Sequence, residues 1–293
     1  MNGVIIVNQS IGHNQYKIDR FLSEFNKRNI KVDVLINDGT LAEITGGNII
    51  INIPKCDFVL YLDKDIYLAR MLEKAGYHLF NNADFIKLCD DKVLTYIRCA
   101  NEGISMIKTI AGPLVYSDHL EENNYKFLDK VVEELGLPLV VKKVYGSLGE
   151  GVYIANTYQE LRDIYSSIYR NPLLFQRYVS TSKGKSVRVL IIDKQIVGGF
   201  IRYNEEDFRS NFGQNATSKR LEDNNKFFDF ASNLAQKLNI LYAGVDFLYD
   251  ENDEPILCEI NSNAFFEEFE KTTGINVAKQ FLEMVIRKTK NEQ

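Results

Sequence analysis

Apolar and polar positions along this chain keep two rhythms, and the switches between them outline the fold. Val4-Ile5-Ile6-Val7 is an unbroken apolar run of the kind that makes a strand buried on both faces, and Ile18, Phe21, Leu22 and Phe25 then repeat at the spacing of one helix face. This is a βα unit. Runs at residues 32–36 and 58–62 predict two more strands, residues 66–75 a helix and His78-Leu79-Phe80 a short strand, so residues 1–85 form a small α/β domain with a mainly parallel sheet. Residues 83–101 read as one helix. Leu139-Val140-Val141-Lys142 and Val152-Tyr153-Ile154 are strands flanking a glycine loop, Thr157 and Glu160 form a capping box that opens the next helix, and residues 173–179 are another strand. From Ser186 onward the pattern turns to antiparallel hairpins. Residues 187–192 and 195–203 are joined by Asp193-Lys194; Phe227, Phe230, Ala231, Leu234 and Leu238 share one helix face; residues 275–287 form a closing helix. The expected class is α/β, in the α+β sense.

The last hairpin carries the most informative chemistry. Gly244 to Tyr249 and Ile256 to Asn261 are strands across a turn-rich segment, and closing them at Asp250 and Pro255 sets Asp246 directly opposite Glu259, with Asn261 next on the same face. Opposed like charges cost stability unless a cation lies between them, and hard oxygen donors suit Mg²⁺ or Mn²⁺. The alternative is a solvated face, and the same face is expected to carry Leu248 and Leu257. A register slip of one residue would part the two acids.

Two other segments suit an anion. Gly146-Ser147-Leu148-Gly149-Glu150-Gly151 lets backbone N–H groups approach a phosphate closely, although a glycine-rich turn has the same composition. Lys142 lies in an apolar strand just before it, and a lysine there needs an anion in a cleft, while Lys143 faces the other way into solvent. Asp207-Phe208-Arg209-Ser210-Asn211 joins a guanidinium to an amide that can meet phosphate or metal oxygens. Arg188 faces away from Val187 and Val189, and with Arg202 it either grips an anionic substrate or decorates an ordinary sheet surface.

Composition narrows the choices. With 293 residues, 45% hydrophobic and 12% aromatic, the chain can bury sizeable cores. Cys56, Cys89, Cys99 and Cys258 show no paired spacing, which points to reduced thiols in a cytoplasmic protein, with Cys258 turned to the core. No window resembles a signal peptide or a membrane span, so a soluble protein without membrane association is expected. A net charge of −5 argues against nucleic acid as a partner. His13, His78 and His119 do not cluster, and no serine or cysteine stands in a nucleophile-elbow context.

Six motifs in order carry a family resemblance: Asp91-Lys92, Pro138-Leu139-Val140-Val141-Lys142 with its glycine loop, Phe208-Arg209-Ser210-Asn211, Ala243-Gly244-Val245-Asp246, Glu259-Ile260-Asn261 and Glu270-Lys271-Thr272-Thr273-Gly274-Ile275. Together they resemble the ATP-grasp superfamily, in its RimK-like α-L-glutamate ligase branch of carboxylate–amine ligases. The resemblance implies a pre-ATP-grasp domain over residues 1–85, a central ATP-grasp subdomain over 86–176 and a C-terminal one over 177–293. It implies that Lys92 and Lys142 contact ATP phosphates, that Gly146, Ser147, Gly149 and Gly151 form a lid, and that Gln176, Arg177, Tyr178 and Val179 form the adenine hinge. Ser186 falls at the ribose, Arg209 and Asn211 at the transferring phosphoryl group, and Asp246, Glu259 and Asn261 become ligands of two Mg²⁺ or Mn²⁺ ions. The implied reaction forms an amide or peptide bond through an acyl phosphate, from small-molecule or peptide carboxylate and amine substrates, in a homodimer or homotetramer. A phosphotransferase on the same fold and a nucleotide-binding regulatory protein are the rival readings. Departures from the family pattern are Arg177 for a glutamate, Ser186 for an acid, and Ser262-Asn263-Ala264-Phe265-Phe266 for a proline-glycine loop. Asn263 joins Arg188 and Arg202 as a candidate substrate contact, the two phenylalanines should change which substrate fits, and neither glutamate nor a protein substrate is assumed.

Overall fold

The computed structural model describes residues 1–9, 12, 14–147, 149–210 and 217–291. The chain opens with β1 (Asn2–Asn8), α1 (Gln15–Asn26), β2 (Lys31–Asn37), the hairpin β3 (Ala42–Thr45) and β4 (Asn48–Ile51), then β5 (Phe58–Leu62), α2 (Ile66–Lys74) and β6 (Leu79–Phe80). Strands β2, β1, β5 and β6 lie side by side in that order, all parallel. Helices cover both faces, which is why β1 is apolar without interruption: Ile5 and Val7 pack with Phe21 and Phe25 of α1, Val4 and Ile6 with Leu68 and Leu72 of α2. The β3–β4 hairpin is not foreseen by periodicity, since Ile44 on it is exposed, but its turn at Gly46-Gly47, with φ of +55° and +78°, is a recognised hairpin signal.

The second sheet follows α3 (Ala83–Asp90) and α4 (Lys92–Cys99), and comprises β7 (Thr109–Ala111), then after α5 (Lys126–Leu135) β8 (Leu139–Lys143) and β9 (Val152–Ala155), then after α6 (Tyr158–Ile168) β10 (Leu173–Arg177). Its order is β7-β10-β8-β9, antiparallel throughout, with its own core against α5 and α6. The single helix expected over residues 83–101 is in fact two. Asp91 is extended, at φ −91° and ψ 101°, and its carboxylate accepts the Leu94 N–H, so a cap interrupts the periodic run and restarts it with Lys92 in the first turn. The expected capping box at Thr157 is only half formed: Thr157 accepts from the Glu160 N–H, but the Glu160 carboxylate turns to the Asn156 N–H.

The third sheet takes β11 (Lys185–Ile192), β12 (Gln195–Tyr203), β13 (Thr217–Arg220) and, beyond α7 (Lys226–Leu238), β14 (Tyr242–Tyr249) and β15 (Pro255–Asn261); α8 (Glu267–Thr273) and α9 (Val277–Asn291) close the chain. Its order is β13-β12-β11-β14-β15, antiparallel, as the hairpin pattern predicted. Val187, Val189, Val245 and Phe247 pack on α7, while Leu190 and Ile192 share a core with α1, α9 and the first sheet. Glu270 fastens that junction by accepting from Arg20 Nε and the Tyr16 hydroxyl, each at 2.7 Å, and from the Val277 N–H at the start of α9. Alternation along β11 thus puts Ser186, Arg188, Leu190 and Ile192 on one face: apolar where it meets the core, polar where it reaches the cleft.

Candidate active site

A cleft of about 640 Å³ opens between the β8–β9 hairpin above and the β11–β14–β15 face below. It is lined by Lys92, Lys142, Gly146, Ser147, Gly149, Gln176, Arg177, Tyr178, Val179, Ser186, Arg188, Arg202, Arg209, Asp246, Glu259, Asn261 and Asn263. Of the expected site residues, Gly151 stands outside the lining at the base of the loop, and Asn211, like His13, lies outside the described residues. His78 and His119 take no part in the lining.

On the floor, Asp246 does oppose Glu259, but by another route than the sequence suggests. The hairpin closes at Tyr249 and Pro255, one residue earlier than expected, and a bulge between Asp246 and Phe247 restores the register beyond it. The main chain explains the bulge: the Leu257 N–H donates to Ser105 O at 2.9 Å and the Leu257 carbonyl accepts from the Tyr96 hydroxyl at 3.0 Å, so β15 bends toward the preceding segment. Two corrections follow. Leu257 lies in the core opposite Phe247 instead of sharing the acidic face, and Cys258 lines the cleft instead of the core, its Sγ 3.9 Å from Lys142 Nζ.

The floor supplies most of its own counter-charge. Arg188 is buried and donates from both Nε and Nη2 to the two oxygens of Asp246, with the Nε contact at 2.7 Å. Burial alone would lower its pKa, yet the Asp246 charge and these hydrogen bonds hold it above the ordinary arginine value. Arg202 stands 3.8 Å from Asp246 Oδ1 and donates to Glu268 Oε2 at 2.7 Å. Burial, and then repulsion from Arg188, push its pKa down. Asn261 Nδ2 donates to Asp246 at 3.3 Å, whereas no hydrogen bond or salt bridge among the described residues reaches the Glu259 carboxylate. Two opposed carboxylates, one of them unsatisfied, beside an amide make a hard-oxygen donor set that suits a small divalent cation.

The roof is different. Lys92 Nζ donates to Gly146 O at 2.7 Å and Val144 O at 3.3 Å, and burial pushes its pKa below the ordinary lysine value. Neither Lys92 nor Lys142 forms a salt bridge among the described residues. The loop that joins β8 to β9 turns through Gly146, Gly149 and Gly151, with φ of +140°, +78° and +71°, and Arg209 Nη1 donates to Gly149 O at 3.1 Å while its other nitrogens hold Asp207. Arg209 therefore straps the roof to the floor. At the hinge the Gln176 side chain donates to Thr109 Oγ1 at 2.9 Å, and Ser186 Oγ pairs with Ser210 Oγ at 2.5 Å.

Three contributors are absent from the expected site. Asn8, Asp63 and Lys64, at the ends of β1 and β5, line one end of the cleft; Glu268 becomes the partner of Arg202; Lys17 of α1 reaches the Asn263 side chain and lies 4.7 Å from the Phe265 ring. Only the position of β1 and β5 ends could have pointed there, since ligands gather at the carboxyl ends of parallel strands. The two phenylalanines also part company: Phe265 lines the cleft, but Phe266 is fully buried, edge-on to Phe21, and is a core residue and no determinant of fit.

The fold and this cleft define an ATP-grasp ligase. A RimK-like ATP-grasp domain model matches residues 89–285, and the chain belongs to that family of ATP-dependent carboxylate–amine ligases. It is 31% identical over 234 residues to an uncharacterized protein, the MG012 homolog of Mycoplasma pneumoniae, covering 78% of this chain and 80% of that one. It is 28% identical to beta-citrylglutamate synthase B of Danio rerio, covering 85% of this chain and 62% of the synthase. Among solved structures, D-alanine–D-alanine ligase of Bacillus anthracis complexed with ATP superposes with a TM-score of 0.72 at 18% identity, covering both chains completely, 100% each. Among the described residues no helix is long and apolar enough to cross a membrane.

Proposed function

We propose that this cleft uses ATP to convert a substrate carboxylate into an acyl phosphate, which an amine then attacks to give an amide and inorganic phosphate. The carboxylate oxygen attacks the γ-phosphorus as ADP leaves; the amine nitrogen then attacks the carbonyl, loses a proton, and expels phosphate. No side-chain nucleophile is needed. The observation that carries this reading is the opposition of charges: two roof lysines that form no salt bridge among the described residues, and across from them Glu259 beside Asp246, its carboxylate reached by no hydrogen bond or salt bridge among those residues.

In this reading the roof lysines Lys92 and Lys142 receive the phosphates, Gly146, Ser147, Gly149 and Gly151 close over them, and the hinge at Gln176 to Val179 faces the base, with Ser186 at the ribose. Arg209, with Asn211, meets the transferring phosphoryl group and afterwards the oxyanion. Asp246, Glu259 and the amide oxygen of Asn261 would hold Mg²⁺ or Mn²⁺, which when bound supplies charge neutralisation along the phosphates. Residues 86–176 act as the central subdomain that carries the glycine-rich lid over the C-terminal subdomain of residues 177–293, with residues 1–85 as a third unit at the cleft end. Arg188 and Arg202, with Asn263 nearby, place two guanidiniums at the far end of the floor, each held by an acid until a substrate carboxylate competes for it. That chemistry suits an acidic donor, in keeping with the citryl product named for the zebrafish relative.

The test is ADP release with pairs drawn from small di- and tricarboxylates, amino acids and short peptides, in Mg²⁺ or Mn²⁺. ADP and phosphate appearing only when both a carboxylate and an amine are present is the expected result. ADP release with transfer of phosphate to a hydroxyl, or none with any pair, overturns it.

A further inference from the structure

Asp246 is already occupied. Arg188 spans both of its carboxylate oxygens, Arg202 stands 3.8 Å away, and the Asn261 amide turns its NH₂ toward the carboxylate instead of its oxygen. Every neighbour thus treats Asp246 as an anion to be satisfied by N–H donors. For Asp246 and Asn261 to serve as ligands, the amide must turn over and the guanidinium must withdraw from at least one oxygen. A guanidinium remains charged throughout, so once withdrawn it needs another anion. Of the acids near it, Glu259 is taken by the cation in this reading and Glu268 is engaged by Arg202 through two nitrogens, which leaves an incoming substrate carboxylate as the complement.

Gly244 lies beneath the Arg188 side chain, where an added Cβ would come 3.6 Å from Arg188 Cδ and only 2.8 Å from Ala264 Cβ. The arginine therefore packs against the Gly244 main chain, and the close approach of Ala264 is what calls for glycine there.

We propose that Arg188 is the resident counter-ion of Asp246, displaced when Asp246 takes up a divalent cation, and that the displacement delivers its guanidinium to the donor carboxylate. The inference rests on the cation reading above. It makes cation uptake and carboxylate capture mutually reinforcing, because each removes the competitor of the other.

The experiment uses Mn²⁺ alone as probe, on the full chain, with no substrate and no turnover. Calorimetry compares the wild type with Arg188→Met, Arg188→Lys and Asp246→Asn, and peptide mapping follows modification of Arg188 by phenylglyoxal with and without Mn²⁺. Arg188→Met should bind Mn²⁺ about tenfold more tightly than the wild type, the counterpart of one charged hydrogen bond no longer in competition, with Arg188→Lys in between. Phenylglyoxal modification of Arg188 in the wild type should rise several-fold with Mn²⁺. If Asp246→Asn weakens Mn²⁺ binding but Arg188→Met leaves it unchanged or weaker, or if Mn²⁺ does not raise the modification, the counter-ion role is wrong and the cation reading stands. If Asp246→Asn has no effect on Mn²⁺ binding, the cation reading itself falls. Should Arg188→Met fail to fold, Arg188→Lys and the wild-type modification decide the matter.

Discussion

The floor and the roof of the cleft handle charge in opposite ways. On the floor, Arg188 with Asp246 and Arg202 with Glu268 form a buried network that neutralises most of itself. On the roof, the hydrogen bonds of Lys92 and Lys142 among the described residues go to carbonyls and a thiol. A self-neutralised network is part of the folded structure, whereas lysines without a salt bridge among the described residues are, in the proposed reading, held ready for an anion that arrives from outside. The same residue types thus carry stability on one side and ligand affinity on the other.

The contrast breaks most visibly where the floor is cut. Replacing Arg188 by Met leaves Asp246 mostly buried with its main partner gone, and denaturant unfolding without metal should show a loss of about 3 to 5 kcal/mol. Phe266→Ala, which removes the core residue behind the floor, should cost about as much, 3 to 5 kcal/mol. Phe265→Ala, one residue earlier at the cleft, should cost about 1 kcal/mol or less and show itself in substrate KM. If both phenylalanine variants are equally unstable, the floor is not backed by the shared core in the manner described.

Between floor and roof stands Arg209. Arg209→Ala should bind ATP nearly as the wild type does yet turn over about a hundredfold more slowly, since preorganised donors of this kind act mainly on the transition state. Single-turnover kinetics beside nucleotide calorimetry separates the two. On the roof proper, Lys142→Met should weaken ATP about tenfold or more through loss of a charged contact, with no measurable loss of stability because no carboxylate is left unpaired. A stability loss like that of Arg188→Met would show that the roof lysine has a structural partner after all.

How much of this was legible in the sequence follows from the same contrast. That Lys142 lines the cleft could be read from a lysine in an apolar strand beside a glycine loop, which needs no distant partner, whereas Lys92 was marked only by the family resemblance. The parallel sheet of the first domain, strands β8, β9 and β10, the paired hairpins of the third sheet and the floor pairing of Asp246 with Glu259 could also be read, though not β7 or β13, and the pairing survives only because the bulge compensates the turn. What could not be read depends on distant contacts. Cys258 faces the cleft because residues 96 and 105 draw the Leu257 backbone aside; Glu268 and Lys17 join the floor from elements whose packing no local pattern encodes. The break at Asp91 was available as a capping residue, but a continuous apolar period hid it.

Lys17 is the floor's exception, and the smallest expected effect sharpens the comparison most. It is fully buried with the Asn263 oxygen and the Phe265 ring as neighbours and, among the described residues, no carboxylate; burial pushes its pKa down to about 7. The unfolded chain holds that proton up to about pH 10.4. Between these two values the unfolded state binds the extra proton, so stability should rise with pH through that window, and the burial penalty should be fully present below it. Lys17→Met should abolish this component. The difference in unfolding free energy between variant and wild type should therefore shrink by on the order of 1 kcal/mol from pH 7 to 8.5, as measured by urea unfolding at matched ionic strength. A difference that stays flat across this range would mean that Lys17 keeps an ordinary pKa, and hence that an acid, or water, reaches it and the floor has no unmatched cation.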